Sequence, residues 1–142
     1  MRLVYFLCIV SLGTLAFLTL ACGNSSSQRE LQKVSVSPTS ADAQNYPNGQ
    51  VQFTAAGTYN SSPVTVTPLQ ASWGVALNGA PTTGVLVSSD GVAQCAAGAA
   101  PGVYSIGAWD VMHTNGATCL IVGPYGEPGC NAVLGTAQLT CP

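Results

Sequence analysis

The sequence predicts an all-β domain, an antiparallel sandwich of about seven strands. Three observations predict it. Short runs of alternating apolar and polar residues recur between turn signals from Val34 onward. Two of those signals, Asp90-Gly91 and Pro101-Gly102, divide the block from Val85 to Val111 into three consecutive strand-like runs. After the apolar N-terminal segment, no stretch repeats its apolar residues at the period of a helix.

The chain of 142 residues has room for one ordinary domain and little else. Only 6% of its residues are charged, against about 25% in an average soluble protein. Ser, Thr, Asn and Gln must therefore wet its surface, which suits an exported domain. Beyond Cys22 the cations are Arg29 and Lys33, both near the start of the domain. A nucleic-acid binder needs a basic face to displace counterions, so that class is excluded.

Residues 1–21 open with one positive charge, Arg2, followed by an almost unbroken apolar run from Leu3 to Leu20. This is the pattern of an export signal peptide. The run is also nearly long enough to span a bilayer, so an uncleaved anchor and ordinary secretion stand as alternatives. Its end, Leu18-Thr19-Leu20-Ala21-Cys22-Gly23, resembles the lipobox of bacterial lipoproteins, with Thr19 where that pattern usually has Leu. The resemblance implies that Cys22 is lipidated and becomes the first residue of the mature chain. It also implies a bacterial cell-envelope lipoprotein, anchored in the membrane and facing the periplasm or the exterior. Residues 23–33 are polar and without periodicity, so 22–33 reads as the lipidated Cys and a flexible tether. The sandwich is expected over 34–142.

Val34-Ser35-Val36-Ser37-Pro38 alternates and stops at Pro, as an edge strand does. After a turn cluster from Asn45 to Gly49, residues Val51, Phe53, Ala55, Gly57 and Tyr59 alternate with polar or small residues, the clearest strand in the chain. Val64 and Val66 make a short run. Trp73 and Val75 share a face of the next strand, with Trp73 expected in the core. Residues 78–84 read as loop, and the Val85–Val111 block follows. Residues 113–131 show no strand pattern and hold two Cys, two Pro and four Gly, so they read as an insertion. The last strand, Gly135 to Cys141, sets Ala137, Leu139 and Cys141 on one face.

Taken together, VSVSP, then NGQVQFTAAGTY, then a Trp strand, then VSSDGVAQCAAGAAPGVYSIGAW resemble a bacterial immunoglobulin-like (Ig-like) domain of group 2, the invasin and intimin type. The likeness runs from Val34 to Cys141. It implies an Ig-like antiparallel β-sandwich used in surface proteins such as adhesins, usually as a repeated spacer or display unit. Here there is one copy, and 113–131 is an insertion that the family pattern does not contain.

Six Cys, less Cys8 in the signal and Cys22 under lipid, leave Cys95, Cys119, Cys130 and Cys141. Four Cys allow three pairings. The favoured one joins Cys95 to Cys141, between the hairpin block and the last strand, and Cys119 to Cys130, across the insertion. Close Cys-x-x-Cys pairs are absent, so disulfides are preferred to a metal site or a redox motif.

His113, with Asp110 before it and Glu127 in the insertion, can be drawn as a small acid/base cluster. An envelope hydrolase using Asp110 and His113 is thus one alternative, but no Ser lies in a Gly-x-Ser-x-Gly elbow to serve it. The preferred expectation is a non-enzymatic module with no catalytic residue and no cofactor. Its contacts would be the membrane through the lipid anchor, and an envelope protein or glycan. Trp109, His113 and Tyr125 are the residues that would touch such a ligand. An accessory subunit of a larger envelope complex is the other alternative.

Overall fold

Alternation along the strands decides which side chains meet. In a computed structural model, residues 29–111, 122–128 and 132–142 are described. Over these the chain is all-β, with β1 Leu31–Ser37, β2 Ser40–Asp42, β3 Gln50–Gln52, β4 Thr54–Tyr59, β5 Thr65–Val66, β6 Ser72–Leu77, β7 Ala80–Pro81, β8 Val85–Val87, β9 Val92–Cys95, β10 Gly102–Val111 and β11 Ala132–Cys141. The arrangement is sandwich-like. Among the described residues no helix is long and apolar enough to cross a membrane. The apolar run from Leu3 to Leu20, Cys22 and most of the tether lie outside them.

Three sheets form, in the orders β1-β4-β5, β3-β9-β8 and β2-β11-β10-β6-β7. The first two share one extended run, Gln50 to Tyr59, broken only at Phe53, whose amide still donates to Gly91 O at 2.9 Å. They therefore act as one layer. The five-stranded sheet is the other layer. Val34, Val36, Val51, Phe53, Ala55, Val85 and Ala93 of the first layer meet Val75, Tyr104, Ile106, Ala108, Ala137 and Leu139 of the second in a single core. Phe53, Tyr104, Ile106 and Leu139 are the largest side chains wholly shut away from water. Burying each contributes roughly 1.5–3 kcal/mol.

The chain changes layers early. β1 pairs antiparallel with β4 in the first layer, and β2 pairs parallel with β11 in the second, Ser40 opposite Gln138 and Asp42 opposite Thr140. The carbonyl of Val34 presses on Gly135, where a Cβ would lie 2.6 Å from it. β1 and β11 thus run side by side in the same direction. Leu31, where the domain begins, lies at the same end as Val111 and Ala132, which border residues 112–131.

Two boundaries differ from the sequence expectation. The strand expected from Val34 starts at Leu31, so the end of the proposed 22–33 tether is ordered sheet. Leu31 is buried, and just before it Arg29 stacks on the Tyr59 ring, 3.6 Å from its centre, while donating to Ser61 O and Pro63 O. Those polar partners come from a distant turn, which local composition does not reveal. The second difference is at 78–84, expected as loop. There Asn78 and Gly79, both at positive φ, close a two-residue hairpin that pairs Leu77 with Ala80.

Candidate functional site

Cys95 at the end of β9 and Cys141 at the end of β11 form a disulfide, with Cα atoms 5.8 Å apart. It ties one layer to the other. Alternation explains the meeting: Cys141 shares its face with Leu139 and Ala137, and Cys95 with Ala93, all of them core-facing. Cys119, Cys130 and His113 lie outside the described residues, as does Cys22.

Part of the insertion is described, and it folds back on the domain. Val122 bridges Pro128, Gly123 N donates to Glu127 O at 2.8 Å, and Gly126 N donates to Gly123 O at 3.0 Å. Glu127 is buried. Its carboxylate accepts from Tyr125 N at 2.8 Å, so this acid holds the shape of a turn. The Tyr125 hydroxyl shares a hydrogen bond of 2.7 Å with Ser105 Oγ on β10.

Two glycines make room for this loop on the outer face of the second layer. A Cβ on Gly107 would stand 2.6 Å from the Tyr125 ring, and one on Gly74 only 1.9 Å from the Tyr125 carbonyl oxygen. Gly74 and Gly107 are directly opposed across β6 and β10. Together they form a saddle into which Tyr125 lies, and the six-membered ring of Trp109 borders Gly74 as well.

Trp109, one of the three residues expected to touch a ligand, is only 9% exposed. Parity along β10 does point it outward, because Tyr104, Ile106 and Ala108 point inward. Its ring and the Tyr125 carbonyl both crowd Gly74 on that outer face. Tyr125 is half-buried and has its hydroxyl engaged with Ser105, so it serves the packing of the loop. Asp110 is half-buried and uses Oδ1 to accept from the adjacent Val111 N at 2.8 Å.

Trp73 shows the opposite departure. Expected in the core, it packs against the core but is only half-buried. It lines a cavity of 370 Å3 that Gln52, Thr54, Gln70, Ser89 and Asp90 also border. The cavity lies where strand pairing in the first layer is interrupted. β9 accompanies the Gln50–Tyr59 run as far as Gly91, and beyond it Leu69 N takes over by donating to Ala55 O at 2.8 Å. Across the break, Gln52 Nε2 donates to both Phe53 O and Asp90 O at 2.7 Å. A side-chain amide thus does there what a neighbouring strand does elsewhere. Nothing in the sequence marked Gln52, Gln70 or Ser89 beforehand, because the interruption arises from how β5 and β9 share one partner strand.

No family model matches the chain, and no curated protein matches it.

Proposed function

We propose that the protein is a non-enzymatic, lipid-anchored protein of the bacterial cell envelope that displays an Ig-like sandwich for binding, adhesion or structural support. The observation that carries the fold part of this reading is the early change of layer. A first strand in one layer with the last strand in the other agrees with Ig-like sandwiches, whose first and last strands belong to different sheets. Tyr104, near the start of β10, adds to it, because its hydroxyl hydrogen-bonds back to Ala100 O across the corner that leads into the strand.

The anchoring part rests on the resemblance of residues 18–23 to a lipobox. Arg29 and Leu31 dock where the domain begins, so the chain between Cys22 and Arg29 serves as the tether. That entry lies at the end from which residues 112–131 leave the sheet, and the Cys95–Cys141 bridge lies at the opposite end. An anchored domain would therefore hold the bridge and the 96–101 turn away from the membrane, with the roots of the insertion near it.

Fatty-acid labelling of wild type and Cys22→Ser in a bacterial host, followed by membrane fractionation, tests this reading. Label and membrane retention are expected in the wild type and should be lost together in the variant. Labelling that persists at the same level in Cys22→Ser would sink the lipoprotein reading.

A further inference from the structure

The half-buried Trp73 beside a polar rim is the feature that neither the layered fold nor the anchor accounts for. Its indole edge abuts Gly91, where a Cβ would stand 2.7 Å from Cζ2, so the ring is held against the Asp90-Gly91 turn. The residues that border the same space carry two primary amides (Gln52 and Gln70), two hydroxyls (Thr54 and Ser89) and one carboxylate (Asp90). Gln52 Nε2 is occupied by two carbonyls. Its Oε1 is an acceptor, and Gln70, exposed and bordering the opening, offers both a donor and an acceptor.

We propose that this cavity is a binding site for a neutral saccharide of one or two rings, stacked on Trp73 and hydrogen-bonded by Gln70 and Asp90. Size, polarity and charge each point there. A volume of 370 Å3 is near the lower end of small-ligand pockets, which run from about 300 to 1,000 Å3. An aromatic face bordered by amide, hydroxyl and carboxylate groups matches a ring with an apolar C–H face and a rim of hydroxyls. Neither Arg29 nor Lys33 borders the cavity, so a phosphorylated, sulfated or otherwise anionic ligand would meet the Asp90 carboxylate with no cation to offset it. An extended peptide adding itself as a strand needs an open sheet edge. This gap is closed along the strand by the Asp90-Gly91 turn on one side and by Leu69 on the other. The inference goes beyond the anchoring and topology proposed above, and holds whether or not Cys22 carries lipid.

Tryptophan fluorescence of the full chain, titrated with cellobiose, chitobiose, mannobiose and lactose, tests it. The chain has two Trp, and the Trp109→Phe variant leaves Trp73 as the single reporter. At least one of the four disaccharides should change the emission saturably, in wild type and in Trp109→Phe alike. Gln70 is exposed and its side chain makes no hydrogen bond among the described residues, so Gln70→Ala should melt like the wild type and weaken binding about tenfold, as expected for a lost hydrogen bond to a ligand. Ligand-observed NMR on Trp73→Phe should show the loss of binding directly. If that variant fails to fold, Gln70→Ala decides the matter alone. The proposal is overturned if none of the four sugars saturates, or if binding is unchanged in Gln70→Ala. Saturation by an extended (Thr-Val)3 peptide in place of the sugars would equally overturn it.

Discussion

The Tyr104 hydroxyl donates to the carbonyl of Ala100, four residues back along the chain, at 2.8 Å. Tyr104 is 1% exposed, so the phenol is a buried polar group whose hydrogen bond is satisfied inside the turn that joins the two layers. The ring also fills the space beside Gly84, where a Cβ would come within 2.6 Å of it. One side chain thus fixes the turn from β9 to β10 and packs the core beneath it. Tyr104→Phe keeps the packing and removes the hydrogen bond, leaving Ala100 O without it. A loss of about 1–1.5 kcal/mol in urea unfolding is expected. Tyr104→Ala should cost about 3–5 kcal/mol, since it also empties the ring's volume. Equal costs for the two variants would mean that the hydroxyl, and not the ring, carries the residue's contribution.

The Cys95–Cys141 bridge joins positions 46 residues apart in sequence. By the loop-entropy relation such a cross-link stabilises by roughly 4 kcal/mol, before any native-state cost. Cys95→Ser with Cys141→Ser should therefore lower the urea midpoint substantially, and reductant should lower that of the wild type at least as far. Non-reducing peptide mapping should recover the 95–141 linkage. Recovery of Cys95 joined to Cys119 would contradict the pairing.

That pairing was legible because alternation needs only local sequence: Leu139 fixes the inward parity of Cys141, and Ala93 that of Cys95. The two tryptophans show where alternation stops being enough. Parity sets Trp73 inward and Trp109 outward, and both point that way. Their exposure departs from parity through distant chain: the strand run opposite Trp73 is interrupted at Phe53, and Tyr125 returns from the insertion to the glycine that Trp109 also borders. β2 has three residues, too few to show a period. The β6–β7 hairpin was legible in Asn78-Gly79, the strongest short hairpin signal, but its second strand is only two residues long.

Asp110 lies at the outer end of β10 and accepts from the amide of the next residue, a local contact that any strand end can replace with water. Asp110→Ala should change unfolding free energy by no more than about 0.5 kcal/mol. The same variant tests the hydrolase alternative. Esterase, peptidase and glycosidase assays of the wild type should show no turnover that Asp110→Ala abolishes. A turnover lost in that variant, with the thermal midpoint unchanged, would restore Asp110 to a catalytic role.

The saddle formed by Gly74 and Gly107 makes the sharpest prediction, because what a methyl group would do there depends on whether the loop is docked. With Tyr125 in place, Gly74→Ala would drive a Cβ into its carbonyl, and Gly107→Ala would drive one into its ring. The loop can respond by lifting away, giving up the Tyr125–Ser105 hydrogen bond and uncovering Trp109. The cost is then limited to the docking free energy of the loop, about 1–3 kcal/mol for a misfit of this size, while the core beneath stays intact. Tyr125→Ala removes the same docking by another route. The Gly107→Ala, Tyr125→Ala double variant should therefore cost scarcely more than either single variant, a coupling of the kind seen for residues in direct contact. Acrylamide quenching of Trp109, measured in a Trp73→Phe background, should rise in all three. Additive costs with Trp109 still protected would mean that each glycine matters to the sheet itself, and that Tyr125 is not what holds the insertion to it.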